Sequence, residues 1–318
     1  MSHVVLVLVE TVNDYLPLLE REGFELILAP TPTPASRAAA IAEHGARIDA
    51  VLTRGPLGLF DAEMAALPLL KIICVIGAGY EHVDLQAASN RGITVTNGAG
   101  ANASSVADHA IALLLSLVRA IPQADAAIRR GEWNKLLLPS LAGKRMGIIG
   151  LGTVGQAIAK RAANGFDMSI RYHNRQPRPD TPYTYHADLH EMAGAVDFLI
   201  VATPGGNATR HLVGQSVLEA LGPQGYLINI GRASVIDTAA LIAALTEGRI
   251  AGAGLDVFDD EPRVPDALKV LGNVVLTPHV AGQSPEAAQD TVQLVLENLQ
   301  AFFAGQPVLT PVHLPDPQ

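Results

Sequence analysis

The stretch Met146-Gly147-Ile148-Ile149-Gly150-Leu151-Gly152-Thr153-Val154-Gly155, followed by Gln156-Ala157-Ile158-Ala159-Lys160, decides the fold. An apolar run ends on a glycine, three glycines follow the spacing G-x-G-x-x-G, and an alanine-rich helical stretch starts at once. Each glycine has its own task in such a strand–turn–helix unit. Gly150 permits a tight turn, Gly152 lets the backbone approach a pyrophosphate, and Gly155 lets helix and strand pack closely. Thr153 and Val154 open the helix, whose N-terminus faces the negative charge. The spacing alone is a weak signal. The strand before it and the helix after it make it a dinucleotide-binding fingerprint.

Working outward, short β-branched runs alternate with Ala/Leu-rich helical stretches along the whole chain. One series of strands starts at the fingerprint: Met146-Ile149, Met168-Tyr172, Asp197-Ala202, Tyr226-Ile230, Ala251-Leu255 and Val274-Thr277. An earlier series comprises Val4-Val9, Phe24-Leu28, Ala50-Thr53, Lys71-Val75 and Ile93-Thr96, with helical segments such as Ala35-Glu43 and Asp61-Leu67 between them. Apolar strands separated by helices indicate parallel sheets covered on both faces. The expected fold class is therefore α/β, with two Rossmann-like, doubly wound parallel-sheet domains and a cleft between them. One long helix begins near Ser105, with Asp108 as a capping-box partner, and another begins at Ser284-Pro285 and ends at Gly305. These helices are expected to carry the chain between a discontinuous, flavodoxin-like domain (1–100 plus 285–318) and a Rossmann domain (101–284).

Composition narrows the function classes. The 318 residues suffice for two such domains, and a 49% apolar, 17% charged make-up is that of a globular protein. A net charge of -9 argues against a nucleic-acid partner, because phosphate backbones are gripped mainly by Lys and Arg. Cys74, the only cysteine, lies in an apolar run and reads as a small buried hydrophobe. Met1-Ser2-His3 lacks the basic start of a signal peptide, and the apolar segment Ala110 to Val118 is too brief to cross a bilayer, which takes about 20 residues. The expectation is a cytoplasmic protein with no membrane partner and no metal site. Trp133 reads as a packing residue.

The strand after the fingerprint helix speaks to the cofactor. It ends Arg171-Tyr172-His173-Asn174-Arg175-Gln176-Pro177-Arg178, with no acidic residue to bind ribose hydroxyls of NAD. Asn174 stands where that acid is expected, beside Arg175 and near Arg178. A carboxylate would repel a 2′-phosphate, whereas a guanidinium binds one through charge-assisted hydrogen bonds. The reading favours NADP, with NAD possible. The alternative is that these arginines are solvated surface charges.

Three further segments each end a strand: Asn229-Ile230-Gly231-Arg232-Ala233-Ser234, Gly254-Leu255-Asp256-Val257-Phe258-Asp259-Asp260-Glu261-Pro262, and Leu276-Thr277-Pro278-His279-Val280-Ala281-Gly282. With Gly77-Ala78-Gly79-Tyr80-Glu81-His82-Val83-Asp84, these ordered motifs make the chain resemble the D-isomer-specific 2-hydroxyacid dehydrogenases, glyoxylate/hydroxypyruvate reductases among them, over nearly its whole length. The resemblance implies a substrate-binding first domain and a catalytic set of Arg232, Glu261 and His279. His279 would give the proton to the substrate oxygen, Glu261 would orient the imidazole and stabilise its charged form, and Arg232 would grip the carboxylate and polarise the carbonyl. It also implies that Thr203, Pro204, Ile230, Gly231 and Asp256 line the cofactor, and that backbone amides around Ala78 and Gly79 hold the substrate carboxylate. His109 occurs where the family has Glu-His and reads as structural. Arg54, at a strand end, is either a substrate contact or a surface charge.

The activity so implied is reduction of a small 2-oxo acid to the D-2-hydroxy acid. A formate dehydrogenase pairs the histidine with glutamine, so Glu261 speaks for proton-transfer chemistry. A 2-ketogluconate or phosphoglycerate-type dehydrogenase stays open, as does a nicotinamide-sensing, corepressor-like binding protein of the same fold. A homodimer is expected from the resemblance and from the apolar stretch Ile111 to Val118, whose alternative reading is domain core.

Overall fold

The apolar runs become short parallel strands buried on both faces. The computed structural model of the chain describes residues 2–29 and 33–316. Contacts divide it into two units, Met1–Asn102 with Gln283–Gln318, and Ala103–Gly282.

In the first unit, β1 (Val4–Val7), β2 (Glu25–Leu28), β3 (Ala50–Arg54), β4 (Ile72–Ile76) and β5 (Thr94–Asn97) form a parallel sheet in the order β2-β1-β3-β4-β5. Successive side chains point to opposite faces. Val4, Leu6, Val51, Ile73 and Val95 pack with Ile41 and Met64 on one face. Val5, Val7, Leu52, Ile72 and Cys74 pack on the other against Val292, Val295, Leu296 and Leu299 of the helix Pro285–Phe303. Cys74 is thus core, and burial pushes its thiol up to about 12, where it is inert. The Pro285–Phe303 helix starts as expected: the Ser284 side chain accepts from the Ala287 amide at 3.1 Å, and Gly305 follows its end at φ +70°. The chain then returns to this sheet, with Thr310 Oγ1 donating to Asn97 O at 2.6 Å and Val312 N to Val95 O at 2.8 Å. Pro317 and Gln318 lie outside the described residues.

In the second unit, β6 (Arg145–Ile149), β7 (Ser169–His173), β8 (Thr184–Tyr185), β9 (Phe198–Val201), β10 (Tyr226–Asn229), β11 (Gly252–Leu255) and β12 (Val274–Leu276) run parallel in the order β12-β11-β10-β9-β6-β7-β8. The strand order reverses between β6 and β9, the place where open α/β sheets bind ligands. β8 is an addition to the expected strands: two residues carry too little pattern to stand out in a Pro- and Tyr-rich stretch.

Two readings need correction, and a third, left open between a partner face and domain core, is decided. The helix expected near Ser105 starts at Ala103, so Ser105 and Asp108 lie inside it and not at its cap. Ser105 Oγ donates instead to Ala281 O at 2.8 Å, and Asp108 pairs with Arg161 at 2.6 Å, so both side chains serve tertiary contacts. The Ile111–Val118 stretch is core: Leu113, Leu114, Leu117 and Val118 pack with Met146, Ile148 and Ile228, close over the small residues of β11. Trp133 does not pack; it is 78% exposed, beyond a helix, Ile121–Arg129, that buries none of its residues. Among the described residues no single helix is long and apolar enough to cross a membrane, and no His/Cys/Asp/Glu group is arranged to hold a metal.

Gly150 and Gly155 meet the steric demands placed on them. Gly150 sits at φ +94°, where L side chains are strained. A Cβ on Gly155 would lie 2.1 Å from Gly150 O, whereas one on Gly152 would meet nothing within 4 Å. Gly155→Ala should therefore destabilise the protein by about 1–3 kcal/mol, as overpacking against backbone does, while Gly152→Ala should stay within about 0.5 kcal/mol. Urea denaturation of both variants checks this, and equal stabilities would show that the turn does not need its third glycine.

Candidate active site

Parallel strands all point the same way, so their C-terminal ends collect side chains at one edge of the sheet. Along the seven-stranded edge stand Gly150 after β6, Asn174 after β7, Thr203-Pro204 after β9, Ile230-Gly231-Arg232 after β10, Asp256 after β11 and His279 after β12.

His279 is held most tightly. Its backbone lies in the left-handed region at φ +53°, a conformation costing about 1–2 kcal/mol for a residue with a Cβ. The turn around it is wound on Asp256, which is 1% exposed. Asp256 Oδ1 accepts from Thr277 Oγ1 at 2.6 Å and from the Val280 amide at 3.0 Å, and Oδ2 accepts from the Ala281 amide at 3.0 Å. The His279 amide donates to Asp256 O at 2.9 Å and Thr277 O at 3.1 Å. These bonds offset the strain, and a buried carboxylate is tolerated because its oxygens are satisfied. Asp256 therefore carries a task beyond the cofactor contact expected of it: it shapes the histidine turn.

The imidazole Nδ1 lies 2.8 Å from Glu261 Oε2, and Glu261 Oε1 accepts from the Phe258 amide at 3.0 Å. An ionised carboxylate only accepts, so Nδ1 carries the proton and donates, which turns Nε2 outward with no protein partner among the described residues. The side chains are 41% and 33% exposed, so this nitrogen is reachable. The pair expected from the sequence is formed.

Arg232 follows β10 in a turn fixed from below. The buried Asn229 carboxamide donates to Arg232 O at 3.1 Å and accepts from the Gly231 amide at 3.0 Å, while Arg232 Nη1 donates to Gly231 O at 2.9 Å. A Cβ on Gly231 would come within 2.7 Å of Thr203 O, and one on Gly205 within 3.2 Å of Arg232 Cγ. The Thr203-Pro204 and Ile230-Gly231 segments thus lie against one another, with Arg232 beside them. Asn229 and the Phe258 amide were not foreseen. Asn229 had a signal, being the one polar residue closing the run Tyr-Leu-Ile-Asn; a backbone amide has none.

At the other end of this edge, Asn174 Oδ1 accepts from the Leu151 amide at 2.8 Å, inside the glycine loop, and Arg178 Nη1 donates to Leu151 O at 3.3 Å. Asn174 and Arg178 clamp the loop. Arg175 is exposed, with no side-chain partner among the described residues. The helix Thr153–Phe166 starts on Gly152 with no side-chain cap, leaving the amides of Thr153, Val154 and Gly155 to an outside acceptor.

In the five-stranded unit, Arg54 ends β3 and pairs in register with Ile76 of β4, directly before the Gly77-Ala78-Gly79 loop. The Gly98 amide donates to Gly77 O at 2.7 Å and Asn97 Nδ2 to Ala78 O at 3.0 Å, fixing that loop, and a Cβ on Gly55 would lie 2.7 Å from Gly79 O. Arg54 thus stands beside Ala78 and Gly79, without a side-chain partner among the described residues.

Comparison with known proteins extends this geometry. Residues 111–281 match the model of the D-isomer specific 2-hydroxyacid dehydrogenase NAD binding domain. A glyoxylate/hydroxypyruvate reductase of Arabidopsis thaliana is 38% identical over 93% of this chain and 93% of its own. A 2-ketogluconate reductase of Gluconobacter oxydans is 40% identical over 83% of this chain and 86% of its own. The crystal structure of an NADPH-dependent glyoxylate/hydroxypyruvate reductase from Sinorhizobium meliloti, in complex with NADP and malonate, superposes with a TM-score of 0.86 at 42% identity, covering 98% of this chain and 97% of that one. Likeness of this extent, in sequence and in both parallel sheets, makes the chain a member of the D-isomer-specific 2-hydroxyacid dehydrogenase family.

Proposed function

We propose that the protein reduces a small 2-oxo acid, glyoxylate or hydroxypyruvate, to its D-2-hydroxy acid with NADPH, with Arg232, Glu261 and His279 as the catalytic set. The observation that carries this reading is the Glu261–His279 pair, 2.8 Å apart with Nε2 turned outward. The Ala103–Gly282 unit serves as the dinucleotide-binding domain and the other as the substrate-binding domain. Glyoxylate/hydroxypyruvate reductases among the relatives support the substrate class.

The residues fit the cofactor. The space open at Gly152 and the uncapped helix start, with Thr153, Val154 and Gly155, suit a pyrophosphate. Thr203, Pro204, Ile230, Gly231 and Asp256 would line the bound dinucleotide, and Gly150 shapes the turn. Asn174 braces the loop while Arg175 takes the 2′-phosphate. The bound nicotinamide supplies the hydride. Arg232 binds the substrate carboxylate and places positive charge where an alkoxide develops. The amides around Ala78 and Gly79 take a carboxylate oxygen. His279 Nε2 delivers the proton to the carbonyl oxygen, and Glu261 keeps the ring oriented and stabilises its charged form before the transfer. A second substrate reading, a sugar-derived 2-oxo acid, is favoured by the Arg54 guanidinium, which has no side-chain partner among the described residues, and by the 2-ketogluconate reductase relative.

A cytoplasmic homodimer completes the proposal. Its surface is the exposed apolar set of Ile121, Ile128, Trp133, Leu136 and Leu137, an arrangement that marks interaction sites on folded proteins.

Three outcomes test this reading. His279→Ala should lower kcat by about 10²–10⁴-fold in a panel of 2-oxo acids assayed with both reduced cofactors, while NADPH still binds; turnover within tenfold of the parent would defeat the assignment. Arg175→Gln should raise the KM for NADPH by about tenfold or more and leave that for NADH unchanged; equal effects would remove the NADP argument. Leu137→Asp should convert a dimer to a monomer in sedimentation velocity, and an unchanged mass would place the subunit contact elsewhere.

A further inference from the structure

His109 belongs to the helix Ala103–Val118 and touches none of the groups assigned to substrate or hydride transfer except through the Asp256 turn. Its Nε2 lies 3.0 Å from Thr277 Oγ1 and 3.5 Å from Asp256 Oδ1. Thr277 Oγ1 is in turn 2.6 Å from Asp256 Oδ1.

Counting protons orders this chain. A hydroxyl has one hydrogen, and an ionised carboxylate can only accept, so Thr277 donates to Asp256. The lone pairs of Thr277 then face His109 Nε2, which must hold a proton and donate it. Of the two neutral tautomers only the one protonated at Nε2 satisfies the contact, and the same nitrogen presents its hydrogen toward the buried carboxylate. The same Asp256 carboxylate holds the amides of Val280 and Ala281, directly after His279, in the turn that keeps His279 at φ +53°.

We propose that His109 is a positioning residue for the reaction: through Thr277 and Asp256 it fixes the 277–281 turn and with it the direction of His279 Nε2. The inference rests on the reading of His279 as proton donor. Without the donor at 109, the Thr277 hydroxyl and the Asp256 carboxylate lose one side of their hydrogen-bond frame. The turn then has alternatives to its left-handed conformation, and the imidazole leaves its working direction in a fraction of molecules. A displacement of about 1 Å at a reacting group can cost as much as 100-fold in rate. The nucleotide-binding loop at Gly150–Gly155 is built from other strands, so cofactor affinity should not follow.

The test is a set of four variants in the full chain: His109→Leu, His109→Gln, Thr277→Val and Thr277→Ser. Active sites are counted by NADPH fluorescence titration, and the single-turnover rate of NADPH oxidation by glyoxylate is measured per site. His109→Leu and Thr277→Val should lose about 10–100-fold in that rate with the Kd for NADPH within threefold of the parent. His109→Gln, whose amide can donate to the same hydroxyl, and Thr277→Ser, which keeps the hydroxyl, should stay within threefold. Parent-like rates in both His109→Leu and Thr277→Val would overturn the inference. So would a loss in which the Gln and Ser variants share equally, because bulk or fold rather than the proton chain would then be at work. His279→Ala measured alongside separates the two readings: if it stays active, the reading of His279 fails and this inference with it, whereas an inactive His279→Ala beside a parent-like His109→Leu sinks the positioning role alone.

Discussion

A buried carboxylate that cannot be left unsatisfied shapes this site. Asp256 follows β11 at 1% exposure, where an uncompensated charge would cost several kcal/mol. The polar hydrogens it gathers come mainly from the segment after the neighbouring strand: the Thr277 hydroxyl and the amides of Val280 and Ala281. Meeting that demand bends the chain so tightly that the residue in the middle, His279, is driven into the left-handed region. The strain is local and the compensation is local, which is why it persists in one defined geometry. The direction of the imidazole is therefore a consequence of how a charge at the neighbouring strand's end is satisfied, and Glu261, held by the Phe258 amide, takes the ring as the turn presents it.

The parallel sheet supplies the rest. With every strand pointing the same way, the turns after β6, β9, β10, β11 and β12 fall on one edge, and each brings its own short polar motif. The apolar strands hold these motifs in register because their side chains are buried on both faces, so a slip of one residue would disturb two cores at once. Rigid strands carrying varied turns let one scaffold keep its chemistry while changing its substrate.

How much of this could be read from the sequence depended on the length scale of each feature. Strands with near-continuous apolar character, such as Phe198–Val201, and the glycines whose steric tasks are strict, Gly150 and Gly155, announce themselves. The Ser284 cap does too, because its partner is three residues away in sequence. Ser105 and Asp108 carry the same local signal as Ser284, yet Ala281 and Arg161 outcompete the cap from far along the chain. Burial partition was equally opaque. Ile111–Val118 and Leu136-Leu137 are both apolar, but only the small residues of β11 make room for the former to close onto the sheet, and nothing local to either stretch says so. Asp256 was legible as a residue of importance and not as the anchor of a turn, since its partners are backbone amides, which every residue possesses.

The same reasoning accounts for the charge pattern at the site. The chain carries a net -9, a poor general setting for anionic ligands such as a 2-oxo acid or a dinucleotide. The strand-end edges counter this in two ways. Helices that follow parallel strands start there, so uncapped amides such as those after Gly152 present partial positive charge. The acidic side chains at the edge are meanwhile spoken for: Asp256 is wrapped by the 277–281 turn, and Glu261 is shared between an amide and an imidazole. Arg54 and Arg175 have no such internal partner among the described residues, so their charge is directed outward. An acidic protein can thus keep anion-binding edges because hydrogen bonding silences its carboxylates where they would repel, while leaving guanidinium groups free where they attract.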